Sequence, residues 1–167
     1  MTVLETERLT LRRLTTDDAA FIFRLVNEPS WLRFIGEKGV KTLDDARDYI
    51  RTGPIASYER FGFGLYLAEL KGSGRPIGMC GLLKRDVLEH PDLGFALLPE
   101  FWGQGYAYES AAAVMAFGKD VLGLDCILAV TNPDNYSSIR LLEKLGMRAD
   151  GAVTLSDDGP ELRVFTS

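Results

Sequence analysis

Residues 63–85, "FGLYLAELKGSGRPIGMCGLLKR", hold two apolar runs separated by Lys71-Gly72-Ser73-Gly74. Two strand-length runs around a glycine turn read as a β-hairpin, because glycine supplies the positive φ that such a turn needs. A third apolar strand, "DLGFALLP", closed by Pro99, follows without an intervening helical pattern. Three consecutive strands in mid-chain exclude a doubly wound dinucleotide fold, which alternates strand and helix from its first strand.

Periodicity fills in the rest. Arg8 to Leu14 reads as a first strand. "TTDDAAFIFRLVNEPS" reads as a helix capped by Thr16 or Asp17, carrying Phe21 and Leu25 on its inner stripe and stopping at Pro29. "WLRFIG" is a short aromatic connector, and "TLDDARDYIRTG" a second helix capped by Thr42 and ended by Gly53. "PIASYERFG" continues helically as a separate piece. Downstream, "GYAYESAAAVMAFGKDVLG" is an amphipathic helix with Ala107, Ala111, Val114 and Met115 inward and Gly123 as its stop. "DCILAVT" is a buried strand, and "NPDNYSSIRLLEKLG" a turn and helix striped by Ile139, Leu142 and Leu145. "MRADGAVTL" and "ELRVFTS" close as an antiparallel pair. The order β, α, α, β, β, β, α, β, α, β, β has no linker or repeat. The expectation is one α/β (α+β) domain spanning residues 1–167, with a mixed, mostly antiparallel sheet of about six to seven strands and about four helices.

Nineteen Lys and Arg against 24 Asp and Glu leave a net charge of −5, which argues against a nucleic-acid or anionic-membrane partner. No apolar run approaches the roughly 20 residues that cross a bilayer. The opening "MTVLETERLTLRRL" lacks an apolar signal core, so a cytoplasmic location is expected. Cys80 and Cys126 lie inside apolar strands and read as small buried hydrophobes. With His90 the one histidine, no zinc set can be assembled, and no metal is expected. No G-x-S-x-G elbow accompanies His90 either.

Between the third mid-chain strand and its helix lies "LLPEFWGQGYAYESA", with Gly103, Gly105 and Ala107 on alternate positions. A Rossmann fingerprint would need a glycine at position 108, where Tyr108 stands, and a Walker A loop would need a lysine that is absent. What remains is a glycine loop opening a helix, whose unpaired N–H groups and dipole welcome an anion. The same glycines could simply turn the chain while Ala107 packs on the sheet.

The succession strand, "LLPEFWGQGYAYESA", helix, strand, "NPDNYSSIRLLEKLGM" resembles the GNAT superfamily of acetyl-CoA-dependent N-acetyltransferases. "TERLTLRRLTTDDA" and the "W-G-x-G-Y-A-x-E" loop are similar to the branch that acetylates N-termini of ribosomal proteins. The resemblance implies acetyl-CoA as cosubstrate, with its diphosphate on Trp102, Gly103, Gln104, Gly105, Tyr106 and Ala107. Trp102 stands where the superfamily usually has Gln or Arg. It also implies two central strands that splay apart, the pantetheine arm pairing with main chain near Leu97, and further cofactor contacts from Asn135 and Ser138. Leu142 occupies the position where many relatives carry a tyrosine, and Ser138 matches the serine that the ribosomal-protein-type branch uses instead, so the resemblance implies that it protonates the leaving thiolate. Asp92 matches a carboxylate that often serves as base, Glu109 a charge at the helix start, and Trp31 and Phe34 would line the acceptor pocket.

The expected function is direct acetyl transfer to a primary amine, with a peptide or protein N-terminus as one candidate. The alternatives are a small amine, such as an aminoglycoside, polyamine or amino acid, and a non-catalytic acyl-CoA-binding module. A monomer or homodimer is expected.

Overall fold

The computed structural model describes residues 1–167. Eight strands form one sheet: β1 (Thr2–Glu5), β2 (Leu9–Arg13), β3 (Leu65–Leu70), β4 (Pro76–Leu83), β5 (Asp92–Leu97), β6 (Leu128–Thr131), β7 (Arg148–Thr154) and β8 (Glu161–Thr166). Six helices accompany them: α1 (Ala19–Val26), α2 (Pro29–Phe34), α3 (Leu43–Ile50), α4 (Ala56–Phe61), α5 (Tyr106–Asp120) and α6 (Tyr136–Lys144). The mixed α/β architecture is as expected, with more elements than the sequence suggested. Strand β1 is the unforeseen strand; it pairs antiparallel with β2. Helix α2 replaces the aromatic connector, and Pro29 opens it from the first turn, where a missing N–H costs nothing.

Local signals explain the helix starts. Thr42 and Asp45 form a reciprocal capping box on α3. Thr15, one residue before the expected cap, does the same with Asp18 on a short 3₁₀ turn, Thr16–Asp18, that leads into α1. Gly53 does not end α3. A π turn over Arg51–Ile55 carries the helix past Pro54 into α4, absorbing the missing N–H by widening rather than breaking.

The sheet runs β1-β2-β3-β4-β5-β6-β8-β7 and is antiparallel except between β5 and β6. Gly72 and Gly74, at φ +89° and +70°, close the β3–β4 hairpin. The last two strands do not simply append: β8 inserts between β6 and β7.

Helix α5 covers one face of the sheet. Its buried residues are Ser110, Ala111, Val114 and Gly118, so the inner face is rotated from the expected stripe, and Ala107 and Met115 are only half-buried. Gly118 permits the close approach, since a Cβ there would stand 2.8 Å from Ile127 Cδ1. Tyr66 meets Phe117 edge-on at 6.4 Å on the same side. Cys80 is fully buried there, and burial pushes its thiol up to about 12, so it is the inert hydrophobe the sequence implied. Cys126 is half-buried.

Candidate active site

The decisive geometry lies where β5 meets β6. The two strands are registered at one pair alone, Asp92 with Leu128, secured by Leu128 N–H donating to Pro91 C=O at 2.9 Å. Beyond that pair they separate. Leu98 N–H donates to Ile77 C=O at 2.9 Å, and the ladder pairs Gly78 with Leu97. In an antiparallel ladder successive residues bond to opposite sides. The even-numbered residues of β5 therefore bond to β4, and the main-chain groups of Phe95 and Leu97 turn toward the gap. The splayed central strands expected from the resemblance are present.

At its far end the gap runs into the glycine loop. A 3₁₀ turn, Pro99–Phe101, follows β5, and Trp102 folds back so that its indole N–H donates to Leu97 C=O at 3.0 Å. Gly103 and Gly105 both adopt left-handed conformations, at φ +74° and +85°. Gly105 caps α5 without a side-chain bond. The first helical bond is Glu109 N–H to Gly105 C=O, and no N–H from Gly103 to Tyr108 donates to any protein acceptor. Six amides on an exposed loop at the positive end of a 15-residue helix form a nest for anionic oxygens.

The loop is held from a distance. Arg8, at the foot of β2, donates through Nε to Glu109 at 2.7 Å and through Nη1 to the Gln104 carbonyl at 3.0 Å. Its guanidinium lies 4.3 Å from the centre of the Tyr106 ring, and Nη2 would stand 3.2 Å from a Cβ on Gly105. Burial alone would push the Glu109 carboxyl up. Hydrogen bonds from the Thr6 hydroxyl and from the Arg8 backbone and side chain outweigh it and hold the group below the usual range. Arg8 and Thr6 were not foreseen, because about a hundred residues separate them from the loop. Glu109 gave the one signal: a carboxylate in the first turn of α5.

Asp92 sits at the apex of the splay, 1% exposed, with both carboxylate oxygens facing Arg85 Nε at 3.1 and 3.3 Å. Burial pushes its carboxyl above the ordinary aspartate value, and Arg85 only partly opposes this. Across the gap, Asn135 caps α6 by accepting from Ser138 N–H at 3.3 Å. Capping thus falls to Asn135. The half-buried Ser138 hydroxyl has no protein partner and is free to serve a ligand. Leu142 is buried core.

The two aromatic candidates for the acceptor pocket separate. Trp31 is 5% exposed within the main core, although its indole N–H lacks a partner. Phe34 is half-buried, and its carbonyl accepts from Asn132 Nδ2 at 3.0 Å, which ties α2 to the end of β6. His90 lies in the loop before β5 and touches neither Asp92 nor Ser138 through a hydrogen bond.

A family model described as an acetyltransferase (GNAT) domain matches residues 8–148. The chain belongs to the GNAT acetyltransferases. This GNAT chain is 31% identical over 153 residues to the uncharacterized N-acetyltransferase YoaA of Bacillus subtilis, covering 90% of this chain and 85% of that one. The crystal structure of an acetyltransferase from Agrobacterium tumefaciens superposes with a TM-score of 0.84 at 26% identity, covering 100% and 94% of the two chains. The same fold recurs, at 16% identity and a TM-score of 0.83, in RimL, the ribosomal L7/L12 alpha-N-protein acetyltransferase solved in complex with coenzyme A, with coverage of 100% and 97%. The GNAT assignment makes this protein an acetyl-transferring enzyme, and no helix in it is long and apolar enough to cross a membrane.

Proposed function

We propose that the protein transfers the acetyl group of acetyl-CoA directly to a primary amine, with residues 103–108 holding the diphosphate and the β5–β6 gap receiving the pantetheine arm. One observation carries this reading: a strand that parts from its parallel neighbour after one registered pair leads straight into six unpaired amides. Phe95 and Leu97 can pair with the two amides of an extended pantetheine as a strand would, although Trp102 already occupies the Leu97 carbonyl. The residues fit the cosubstrate because the donors needed for phosphate are backbone groups, which the change to Trp102 leaves untouched.

Acetyl-CoA would supply a thioester, whose thiol leaves readily because its pKa lies near 8.5. The protein's main work is then to align amine and thioester, which alone can account for much of the acceleration. The amine nitrogen attacks the carbonyl carbon, the carbon–sulfur bond breaks, the thiolate takes a proton and the nitrogen loses one. In this reading Ser138, whose hydroxyl has no protein partner, donates to the leaving sulfur. In this reading Asp92, whose carboxyl burial pushes above the ordinary aspartate value, accepts the amine's proton through water.

Isothermal titration with acetyl-CoA, followed by thiol release with a panel of amines, tests the reading. A protein that binds acetyl-CoA and releases thiol only when an amine is present sustains it. A protein with no affinity for acetyl-CoA overturns it, and one that binds without turnover under every amine is an acyl-CoA-binding module.

A further inference from the structure

On the face of the sheet opposite α5 lies a cleft of about 270 Å³ between the α3–α4 rod and the β3–β4 strands. Its apolar walls are Pro54, Phe61, Leu65 and Leu83. The wall abuts the proposed reaction centre: Leu83 pairs with Asp92 across the ladder, and a Cβ on Gly94 would touch Leu83 and Leu65 at 3.3 and 3.4 Å. Asp92, Gly94 and the cleft therefore share one face of the sheet. The π turn forms part of the rim, through Thr52, Gly53 and Pro54. Such turns interrupt a helix at a cost in regular bonding and are frequent beside ligand sites.

Three polar side chains of this cleft, Arg60, Lys84 and Tyr49, keep a proton to donate. Arg60 lies 4.8 Å over the Phe61 ring and makes no ion pair. Lys84 donates to the Arg85 and Leu88 carbonyls at 2.9 and 2.6 Å and retains a third proton. The Tyr49 hydroxyl has no protein partner, and burial pushes it up to about 12, so it stays a neutral donor. The Thr52 and Ser57 hydroxyls already donate to backbone carbonyls. No carboxylate lines the cleft, although acids outnumber bases in the chain. A donor-rich, carboxylate-free cleft matches an anion and repels a polycation.

We propose that this cleft binds the anionic group of the acceptor, so that the acetylated amine belongs to a small carboxylate-bearing molecule such as a free amino acid. This rests on the acetyltransferase reading above and narrows its acceptor. The cleft volume lies just below the roughly 300–1,000 Å³ of pockets for drug-sized ligands, which suits an amino acid better than a length of peptide.

The test is thiol release from acetyl-CoA with L-amino acids, their carboxamides, spermidine and a C-terminally amidated peptide. Amino acids should be consumed, with carboxamides at least about tenfold poorer in kcat/KM, the loss expected for one charge-assisted hydrogen bond. Arg60→Met should raise KM for amino acids about tenfold without changing the acetyl-CoA Kd, and Arg60→Lys should restore part of the loss. Equal rates for acid and amide, or a preference for spermidine or the amidated peptide, would overturn the proposal. Titration of N-acetyl amino acids into the protein alone reads the cleft independently of acetyl-CoA. Heat lost in Arg60→Met sustains the cleft even if acetyl-CoA fails to bind, and no heat with the wild-type protein counts against it.

Discussion

The two ends of the proposed reaction site are built from different materials. The diphosphate end is backbone: six amides, two left-handed glycines and a helix terminus within a few residues of one another. The acceptor end is side chains gathered from α3, the π turn, α4, β3 and β4. A backbone site tolerates change at most of its side chains and fails when the main-chain path is altered. A side-chain site can be retuned one residue at a time. The proposed cofactor contacts therefore follow from the path of the chain and the proposed acceptor contacts from individual side chains, which is why function has to be argued from the site rather than from the architecture.

Substitutions can break that contrast or sharpen it. The largest effect should come from Gly105→Glu, which puts a charged side chain at φ +85° beside Arg8 Nη2 and into the nest. Titration calorimetry should show acetyl-CoA affinity falling more than about a hundredfold, with the circular dichroism of the fold retained; unchanged affinity would refute the backbone site. Next in size, Asp92→Asn should lower kcat/KM with amines about a hundredfold. Because the Asp92 carboxyl is raised, the wild-type rate should climb with pH above the ordinary aspartate range, and that acid limb should vanish in the variant. The stability sign is opposite: a raised carboxyl binds its proton more tightly when folded, so its contribution is present at low pH and lost as pH rises through the folded value. Thermal melts across that range read this second effect separately.

Smaller effects divide roles on α6. Ser138→Ala should cut turnover about tenfold with acetyl-CoA affinity unchanged. Asn135→Ala should instead cost about 1 kcal/mol of stability through the lost cap. If the serine change lowers only the melting temperature, its catalytic role is gone. Smallest of all, Glu109→Gln releases Arg8 from one side of the loop and should weaken acetyl-CoA binding a fewfold, measured by titration at constant ionic strength. A hundredfold loss would mean that the nest depends on this clamp far more than its own backbone suggests.

Much of the cofactor end could be read in the chain because its determinants are local. Gly103 and Gly105 stand at positive φ, where other residues are strained, and Thr42 with Asp45 marks a helix start through bonds three residues apart. The proposed acceptor end is less legible. Trp31 suggested a pocket but fills the core, whereas Tyr49, Arg60 and Lys84, which line the cleft, carry no local pattern that singles them out. Gly53-Pro54 signalled a helix end, yet packing of the rod against the sheet made a π turn the better solution.

From the chain alone came the glycine loop, the helix that follows it and the hairpin at Gly72 and Gly74, all products of bonds within a few residues, together with a largely antiparallel sheet inferred from the order of strands and helices. The folded molecule decided that β5 and β6 meet at one pair, that β8 slips between β6 and β7, and that Arg8 reaches Glu109 across 101 residues. Strand neighbours and faces are chosen by burial of the whole sheet against its helices, a constraint that no short window of residues contains.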